Sequence, residues 1–346
     1  MPWTKIQADD SHTPVFFGGD ERAREITYRN AIREALSQAL MTDRNVFLIG
    51  EGIDDPGGVF GTTAGLKETF GDERVMDCAI AENGLTGVAI GAAIAGMRPV
   101  FVHMRVDFLP MCMDQIINHA AKWSYMTGGK VKVPLTIRAI IGRGWGSAAQ
   151  HSQSLQALFA HIPGLKVIMP ASPYDAKGLL LGSIAGDSPT ICIEHRWLYD
   201  QKEEVPETPY MIHAGKGLVR RQGKDISIIS TSYMVYESLR AASELEKEGI
   251  SAEVVDLRSV LPMDEELIIS SVMKTGRLIV ADTGVSVCGV ASEVAAIAAE
   301  QAFDSLKAPV RRICLPMTPT PASHVLERAY YPDHTAIVRA AREMTA

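Results

Sequence analysis

The sequence lacks the hallmarks of several protein classes. Its 34 basic residues are outnumbered by 41 acidic ones, the formal net charge is −7, and the basic residues form no blocks. Nucleic-acid or anionic-membrane partners are therefore not expected. No apolar stretch approaches the roughly 18 residues that a membrane span needs. The N-terminal region shows neither a secretory nor a transit pattern, so we expect a cytoplasmic protein.

Cysteine is scarce and shows no pairing pattern. The five cysteines are odd in number, and no two have the spacing of a zinc or redox motif. Most lie inside apolar runs, which is typical of reduced core residues. The sequence also has no Gly-x-x-x-x-Gly-Lys-Ser/Thr phosphate loop and no Gly-x-Ser-x-Gly elbow. We expect no metal ion bound by the side chains of this chain.

What is present is an alternation of short apolar strands with helical patterns. It runs to a charged, proline-bearing stretch at 200–210, which we interpret as a linker, and then restarts. This rhythm predicts an α/β fold with parallel sheets, whose sites lie at the carboxyl ends of strands. A length of 346 residues fits about two domains.

A carboxylate follows one predicted strand. The apolar run 75–81 leads to Glu82, and a helical pattern rich in glycine and alanine covers 84–96. Glu82 is either an ordinary acid at a helix N-terminus, favoured by the helix dipole, or a functional carboxyl group. In the second case burial raises its pKa, so that it can share a proton with a ligand nitrogen. The small residues predict close packing, either in the core or against another subunit.

Two apolar side chains follow the next strand. Met104 and Phe108 are either core residues or a flat surface on which an aromatic ligand could stack. His103 and Arg105 in the same segment are interpreted as structural polar residues.

A glycine-rich loop, 142–150, leads to His151. The pattern fits a surface loop and a helix capped by Ser152. It also fits a partly exposed histidine that transfers protons near neutral pH, with a pKa lowered by the helix dipole. His161, ten residues on, is interpreted as structural.

Together these segments resemble the beta chains of the first component of 2-oxo acid dehydrogenases, of the pyruvate, branched-chain and acetoin types. The resemblance covers nearly all of residues 25–346. It rests on an ordered set of short motifs, among them Gly58-Val59-Phe60, Ile80-Ala81-Glu82-Asn83-Gly84, Gln150-His151-Ser152-Gln153, Pro173-Tyr174-Asp175, Asp256-Leu257-Arg258 and Pro319-Thr320-Pro321.

The resemblance implies an organisation of the chain. After an arm at 1–24, we expect a transketolase-like pyrimidine-binding α/β domain at 25–203. A smaller α/β domain of the transketolase C-terminal type is expected at 204–346.

The resemblance also implies a shared cofactor. Thiamin diphosphate would lie between an alpha and a beta chain, with its Mg²⁺ held by the alpha chain. This sequence lacks Gly-Asp-Gly, the alpha-chain motif. An alpha2beta2 assembly, a lipoyl acyltransferase partner and a structural potassium ion bound by carbonyls near Asp187 are implied as well.

Residue roles follow from the same resemblance. Glu82 matches the carboxylate that hydrogen-bonds the aminopyrimidine and so activates the cofactor. Met104 and Phe108 match positions that line the pyrimidine and stack on it. His151 matches a proton shuttle that acts during acyl transfer.

Three departures from the family pattern bear on substrate choice. They are Glu51-Gly52 in place of Glu-Asp, Cys78-Ala79 in place of Thr-Pro, and the bulky Arg143 and Trp145 in a normally smaller loop. Two other functions stay open: a related carboligase or synthase with a non-lipoyl acceptor, and a non-catalytic assembly subunit. The joint presence of the predicted site residues disfavours the assembly subunit.

Overall fold

The computed structural model describes residues 15–16, 23–142 and 146–345. The strands in these ranges are β1 Val15–Phe16, β2 Ala23–Thr27, β3 Val46–Gly50, β4 Val75–Asp77, β5 Arg98–His103, β6 Thr136–Ile141, β7 Lys166–Ile168, β8 Thr190–His195, β9 Lys202–Pro206, β10 Tyr210–Met211, β11 Leu218–Arg221, β12 Ile226–Ser230, β13 Ala252–Asp256, β14 Ser259–Leu261, β15 Leu278–Val285 and β16 Arg311–Leu315.

The α-helices in these ranges are α1 Tyr28–Thr42, α2 Leu66–Phe70, α3 Glu82–Ile94, α4 Trp123–Met126, α5 Gln156–Ala160, α6 Pro173–Ala185, α7 Tyr233–Glu246, α8 Glu265–Thr275, α9 Val290–Gln301, α10 His324–Tyr330 and α11 His334–Thr345. The tighter 3₁₀ turns are Val106–Cys112, Arg196–Leu198 and Phe303–Ser305, and a π-helical turn covers Gln115–Ala120.

The first sheet has seven strands in the order β14-β7-β8-β6-β5-β3-β4. Its neighbours pair in parallel except for the edge strand β14. Because both faces of this sheet are covered, its central strands are mostly apolar rather than alternating, with buried polar exceptions such as Arg138 and Glu194. Strands β3, β5 and β6 consist of buried or nearly buried residues.

The second sheet has five strands in the order β11-β13-β12-β15-β16, parallel except for β11. The chain leaves this sheet after β13 and adds β14 to the edge of the first sheet, where Ser259 pairs with Ile168. One apolar cluster includes buried side chains from both sheets, such as Ile137 and Val255. The predicted fold class, two parallel α/β units, is confirmed.

Three segments differ from the sequence-based prediction. The helix expected over 114–126 is divided between the π-helical turn and α4. Helix α5 begins at Gln156, so Ser152 is not its N-cap, and the buried Ser152 hydroxyl has no hydrogen-bond partner among the described residues. The stretch 200–210, predicted as a linker, contains β9, which pairs with β2. That partner is distant in sequence, so composition could not indicate it. The boundary at 203/204 stays a prediction.

A fully buried ion pair ties two central strands together. Arg138 on β6 donates from Nε and Nη2 to the two carboxylate oxygens of Glu194 on β8, at 2.6 and 2.9 Å. Tyr199 donates its hydroxyl to the same carboxylate at 2.7 Å. Each charged group stabilises the ionised form of the other, but removing both from water is costly. Loss of either partner would therefore leave an unpaired buried charge.

Polar contacts also join the two units. Arg258 binds Asp175 of α6 at 2.6 Å, and Gln156 donates to Asp282 of β15 at 3.0 Å. Burial and the neighbouring Asp175 charge raise the pKa of the nearby Asp256 carboxyl. These buried contacts fix the second unit against the carboxyl-end edge of the first sheet.

Breaking the buried ion pair should destabilise the fold strongly. Replacing Arg138→Met leaves the Glu194 carboxylate buried without its cation, and we expect the free energy of unfolding to fall by about 3–5 kcal/mol. The double variant Arg138→Met/Glu194→Leu should recover most of that loss. As a control, Lys202→Met removes an exposed pair with Glu25 and should cost less than about 1 kcal/mol. Chemical denaturation at fixed pH measures all three, and equal losses for Arg138→Met and Lys202→Met would contradict the expectation.

Candidate functional site

The carboxyl ends of the parallel strands bring the predicted segments to one edge of the first sheet. Strand β3 ends at Gly50, β4 at Asp77 and β5 at His103. Register pairs Gly50 with both Asp77 and Val102. The residues that follow these strands therefore share one edge, where open α/β sheets bind ligands.

Glu82 is the first residue of α3 and is only 4% exposed. No described residue donates a hydrogen bond to its carboxylate or forms an ion pair with it. Its backbone carbonyl accepts from the Thr86 hydroxyl at 2.7 Å, which fixes the first helical turn. A buried carboxylate without a partner is costly, so the position calls for a donor from outside the described residues.

Two further acids lie around Glu82. Burial, followed by the charges of Glu82 and Asp77, raises the pKa of Glu51. Burial and the same three carboxylates raise the pKa of the Cys78 thiol to about 11. Asp77 itself accepts from the backbone N–H of Gly52 at 2.6 Å. The three acids create a negative potential that favours a cationic or proton-donating ligand.

The 3₁₀ turn Val106–Cys112 packs against the first turns of α3. Cys112 is buried and hydrogen-bonds Thr86, while burial raises the pKa of its thiol to about 11. Val106 and Leu109 join Ala89 of α3 in the apolar core. This packing sets the element that carries Phe108 beside the element that carries Glu82.

Met104 lies against the turn after β3. It is half-buried, and a Cβ on Gly52 would come within 2.6 Å of the Met104 methyl group. Gly52 also has φ +63°, a conformation that glycine adopts without strain. The departure from the family pattern at Gly52 therefore makes room for the Met104 thioether.

Phe108 and His151 lie side by side. Their ring centroids are 5.7 Å apart and the rings meet edge to face at 75°, a favoured arrangement for aromatic pairs. Both side chains are half-buried. Thus Phe108 contacts His151, and Met104 contacts the turn that carries Glu51. No hydrogen bond links Glu82 to His151 among the described residues.

Sequence reasoning missed a polar link beneath this site. The Asp107 carboxylate accepts from the backbone and side-chain nitrogens of Gln153, at 3.1 and 2.9 Å. Arg105, predicted to be only structural, donates to the Gly142 carbonyl at 2.6 Å. No periodic signal marks these contacts, because they join segments more than 35 residues apart. His103, by contrast, is a buried neutral residue whose pKa is lowered to about 3 by burial.

Two other expectations concern cations and a loop. The Arg98 guanidinium donates to the carbonyls of residues 184, 185 and 186 and to the Asp187 carboxylate, so a positive charge already faces the region of the expected potassium ion. The departures at Arg143 and Trp145 lie outside the described residues. Within the described ranges no three His, Cys, Asp or Glu side chains cluster as metal ligands.

Comparison with known proteins decides the family. The transketolase pyrimidine binding domain matches residues 24–202, and the transketolase C-terminal domain matches residues 215–337. The acetoin:2,6-dichlorophenolindophenol oxidoreductase subunit beta of Cupriavidus necator is 46% identical, over 93% of this chain and 98% of the relative. The pyruvate dehydrogenase E1 component subunit beta of Bacillus subtilis is 43% identical, over 92% and 98%. The chain belongs to this family of oxidoreductase beta subunits.

Solved structures agree with the fold. The structure of a split gene transketolase, an inactive beta4 tetramer, superposes with a TM-score of 0.75 at 24% identity, over 92% of this chain and 98% of that one. At that identity the likeness carries the fold alone. The predicted resemblance and the predicted function class, a beta subunit of the 2-oxo acid dehydrogenase type, are confirmed. No helix in the described part of this beta subunit has the length and apolar character of a membrane span.

Proposed function

We propose that this beta subunit contributes the pyrimidine half of a thiamin diphosphate site, in an enzyme that oxidatively decarboxylates a 2-oxo acid. The observation that carries the proposal is the buried Glu82 carboxylate, which has no donor among the described residues and lies near two more acids. A ring nitrogen that shares a proton with Glu82 would satisfy it.

The residues present fit this cofactor. An aminopyrimidine offers a protonatable nitrogen to Glu82 and a flat face to apolar side chains, and Met104 and Phe108 are half-buried apolar groups at the same edge. The surrounding acids would stabilise the positive charge of a thiazolium. Thiamin diphosphate, when bound, supplies the carbon nucleophile and the electron sink that decarboxylation of a 2-oxo acid requires.

Glu82 would do two things for such a ligand. It would orient the pyrimidine ring through a short charge-assisted hydrogen bond. It would hold or release a proton at the ring nitrogen, which general acid–base catalysis requires to be within hydrogen-bond reach. The apolar surroundings of α3 and the 106–112 turn would exclude water from that bond and so strengthen it.

We infer that a second polypeptide closes the site. The chain has no Gly-Asp-Gly motif, and we propose that an alpha subunit holds the diphosphate and its Mg²⁺ in an alpha2beta2 assembly. Exposed apolar residues beside Glu82 support an apolar partner surface there: Ile80 is 80% exposed and Val88 58% exposed. Exposed apolar residues that form a contiguous patch commonly mark protein contacts.

His151 is proposed as a proton shuttle during transfer of the acyl group to a lipoyl group of an acyltransferase partner. It is half-buried and packed on Phe108, so it lies beside the proposed pyrimidine surface while keeping access to solvent. Imidazole is suited to this role because its charge changes near neutral pH.

Acetoin is a second candidate substrate. Two relatives named acetoin:2,6-dichlorophenolindophenol oxidoreductase subunit beta are 46% and 45% identical. A relative named for pyruvate is 43% identical, and one named for 2-oxoisovalerate is 41% identical. Screening the reconstituted alpha–beta pair with acetoin, pyruvate and branched 2-oxo acids separates these candidates. A cytoplasmic location is proposed on the five free cysteines, and a potassium ion near Asp187 stays a prediction.

Replacing Glu82→Gln should uncouple cofactor binding from activation. Glutamine cannot take up a proton, so hydrogen–deuterium exchange at the thiazolium carbon should slow by about 10²-fold or more, while thiamin diphosphate still binds the alpha–beta pair. NMR of quenched samples measures the exchange. Glu73→Gln, at an exposed acid that precedes β4 and is nine residues before Glu82 in the chain, is the control and should exchange as the unmodified protein does. An unchanged exchange rate in Glu82→Gln would defeat the assignment.

Replacing His151→Asn should impair acyl transfer more than decarboxylation. Transfer to a lipoyl domain should fall by about 10²-fold, whereas turnover with 2,6-dichlorophenolindophenol as the electron acceptor should change far less. The exposed His161 provides the control, since His161→Asn should alter neither reaction. Equal losses of both reactions in His151→Asn would count against a shuttle.

A further inference from the structure

We propose that Arg105 and Asp107 are positioning residues that hold the two ends of the segment 142–153 and thereby fix His151 against Phe108. The catalytic consequence rests on the proposed function. The contacts themselves do not, since they lie within the described residues of this chain.

The first contact holds the start of the segment. Arg105 donates from Nη1 to the carbonyl of Gly142 at 2.6 Å and from Nη2 to the Ser147 hydroxyl at 3.5 Å. Gly142 directly follows strand β6 with φ +93°, and a Cβ there would lie 2.7 Å from the His195 ring. The segment therefore leaves the sheet by a turn that only glycine fits, and a guanidinium is bound at that turn.

The second contact holds the end of the segment. One oxygen of Asp107, Oδ1, accepts both the backbone N–H and the side-chain amide of Gln153. Burial raises the pKa of Asp107, and the two Gln153 hydrogen bonds oppose that shift by favouring the ionised form. Hydrogen bonds to a charged acceptor are stronger than neutral ones, so Asp107 clamps the chain two residues beyond His151.

The short segment 104–108 links the proposed pyrimidine surface to the groups that hold His151. Met104 and Phe108 flank Arg105 and Asp107, and the intervening Val106 is fully buried in the core. The piece 104–108 therefore carries both the proposed pyrimidine surface and the groups that hold the His151 segment. A proton shuttle displaced by about 1 Å can lose a factor near 10² in rate. A short, rigid connection between the proposed pyrimidine surface and His151 would prevent such a displacement.

Asp107→Ala and Asp107→Asn test the clamp in the reconstituted alpha–beta complex. Alanine removes the acceptor, and the amide of asparagine retains a neutral one. Hydrogen exchange of the Gln153 backbone amide, followed by mass spectrometry of peptides spanning 146–156, should become at least about tenfold faster in Asp107→Ala. In Asp107→Asn it should stay within about threefold of the unmodified protein.

Acyl transfer should follow the same order. Asp107→Ala should lower it by about 10²-fold, Asp107→Asn should restore most of it, and exchange at the thiazolium carbon should change little in either, because that reaction depends on Glu82. Loss of local protection with unchanged acyl transfer would support the clamp and defeat the shuttle role of His151 instead. Should Asp107→Ala fail to fold, Gln153→Ala removes only the side-chain donor and should give an intermediate loss of protection. Unchanged protection in both alanine variants overturns the proposal.

Discussion

A buried carboxylate with no partner in the described part of the chain is the constraint on which the whole site depends. Glu82 is 4% exposed, starts a helix, and lies near the carboxyl groups of Glu51 and Asp77. Such an arrangement is unfavourable in an isolated chain, because a buried carboxylate that no hydrogen-bond donor satisfies costs free energy. A subunit that keeps it gains stability when a proton-bearing ligand arrives, which couples cofactor binding to completion of the site.

The rest of the fold makes that unfavourable position possible. Parallel strands deliver the acids to one edge, and the buried Arg138–Glu194 pair ties the centre of the same sheet. The second unit also contacts the segment that follows His151, because Asp282 accepts a hydrogen bond from Gln156, five residues after His151. The stabilising polar contacts therefore lie around the site, whereas the acids within the site destabilise it.

Much of the fold could be predicted from the sequence, because apolar runs and helical periods are local signals. Strand β3 was predicted at 45–50 and is found at Val46–Gly50. The pairing of β9 with β2 and the addition of β14 to the first sheet could not be predicted, because each joins segments far apart in the chain. The cap predicted at Ser152 was wrong: helix α5 begins at Gln156, and the backbone N–H of Gln153 binds Asp107, a residue distant in sequence.

The site divides in the same way. Glu82, Met104, Phe108 and His151 could be named from local patterns and a family resemblance, and their roles stay predictions. The acids around Glu82 and the contacts of Arg105 and Asp107 depend on which segments meet in space, so only the structure could reveal them.

The most direct test is a solved structure of this beta subunit reconstituted with its alpha partner and thiamin diphosphate. We predict a Glu82 carboxylate oxygen about 2.5–3.0 Å from a nitrogen of the pyrimidine ring, in a pocket shared by both chains. A carboxylate that faces bulk water, or lies beyond hydrogen-bonding reach of the ring, would contradict the account.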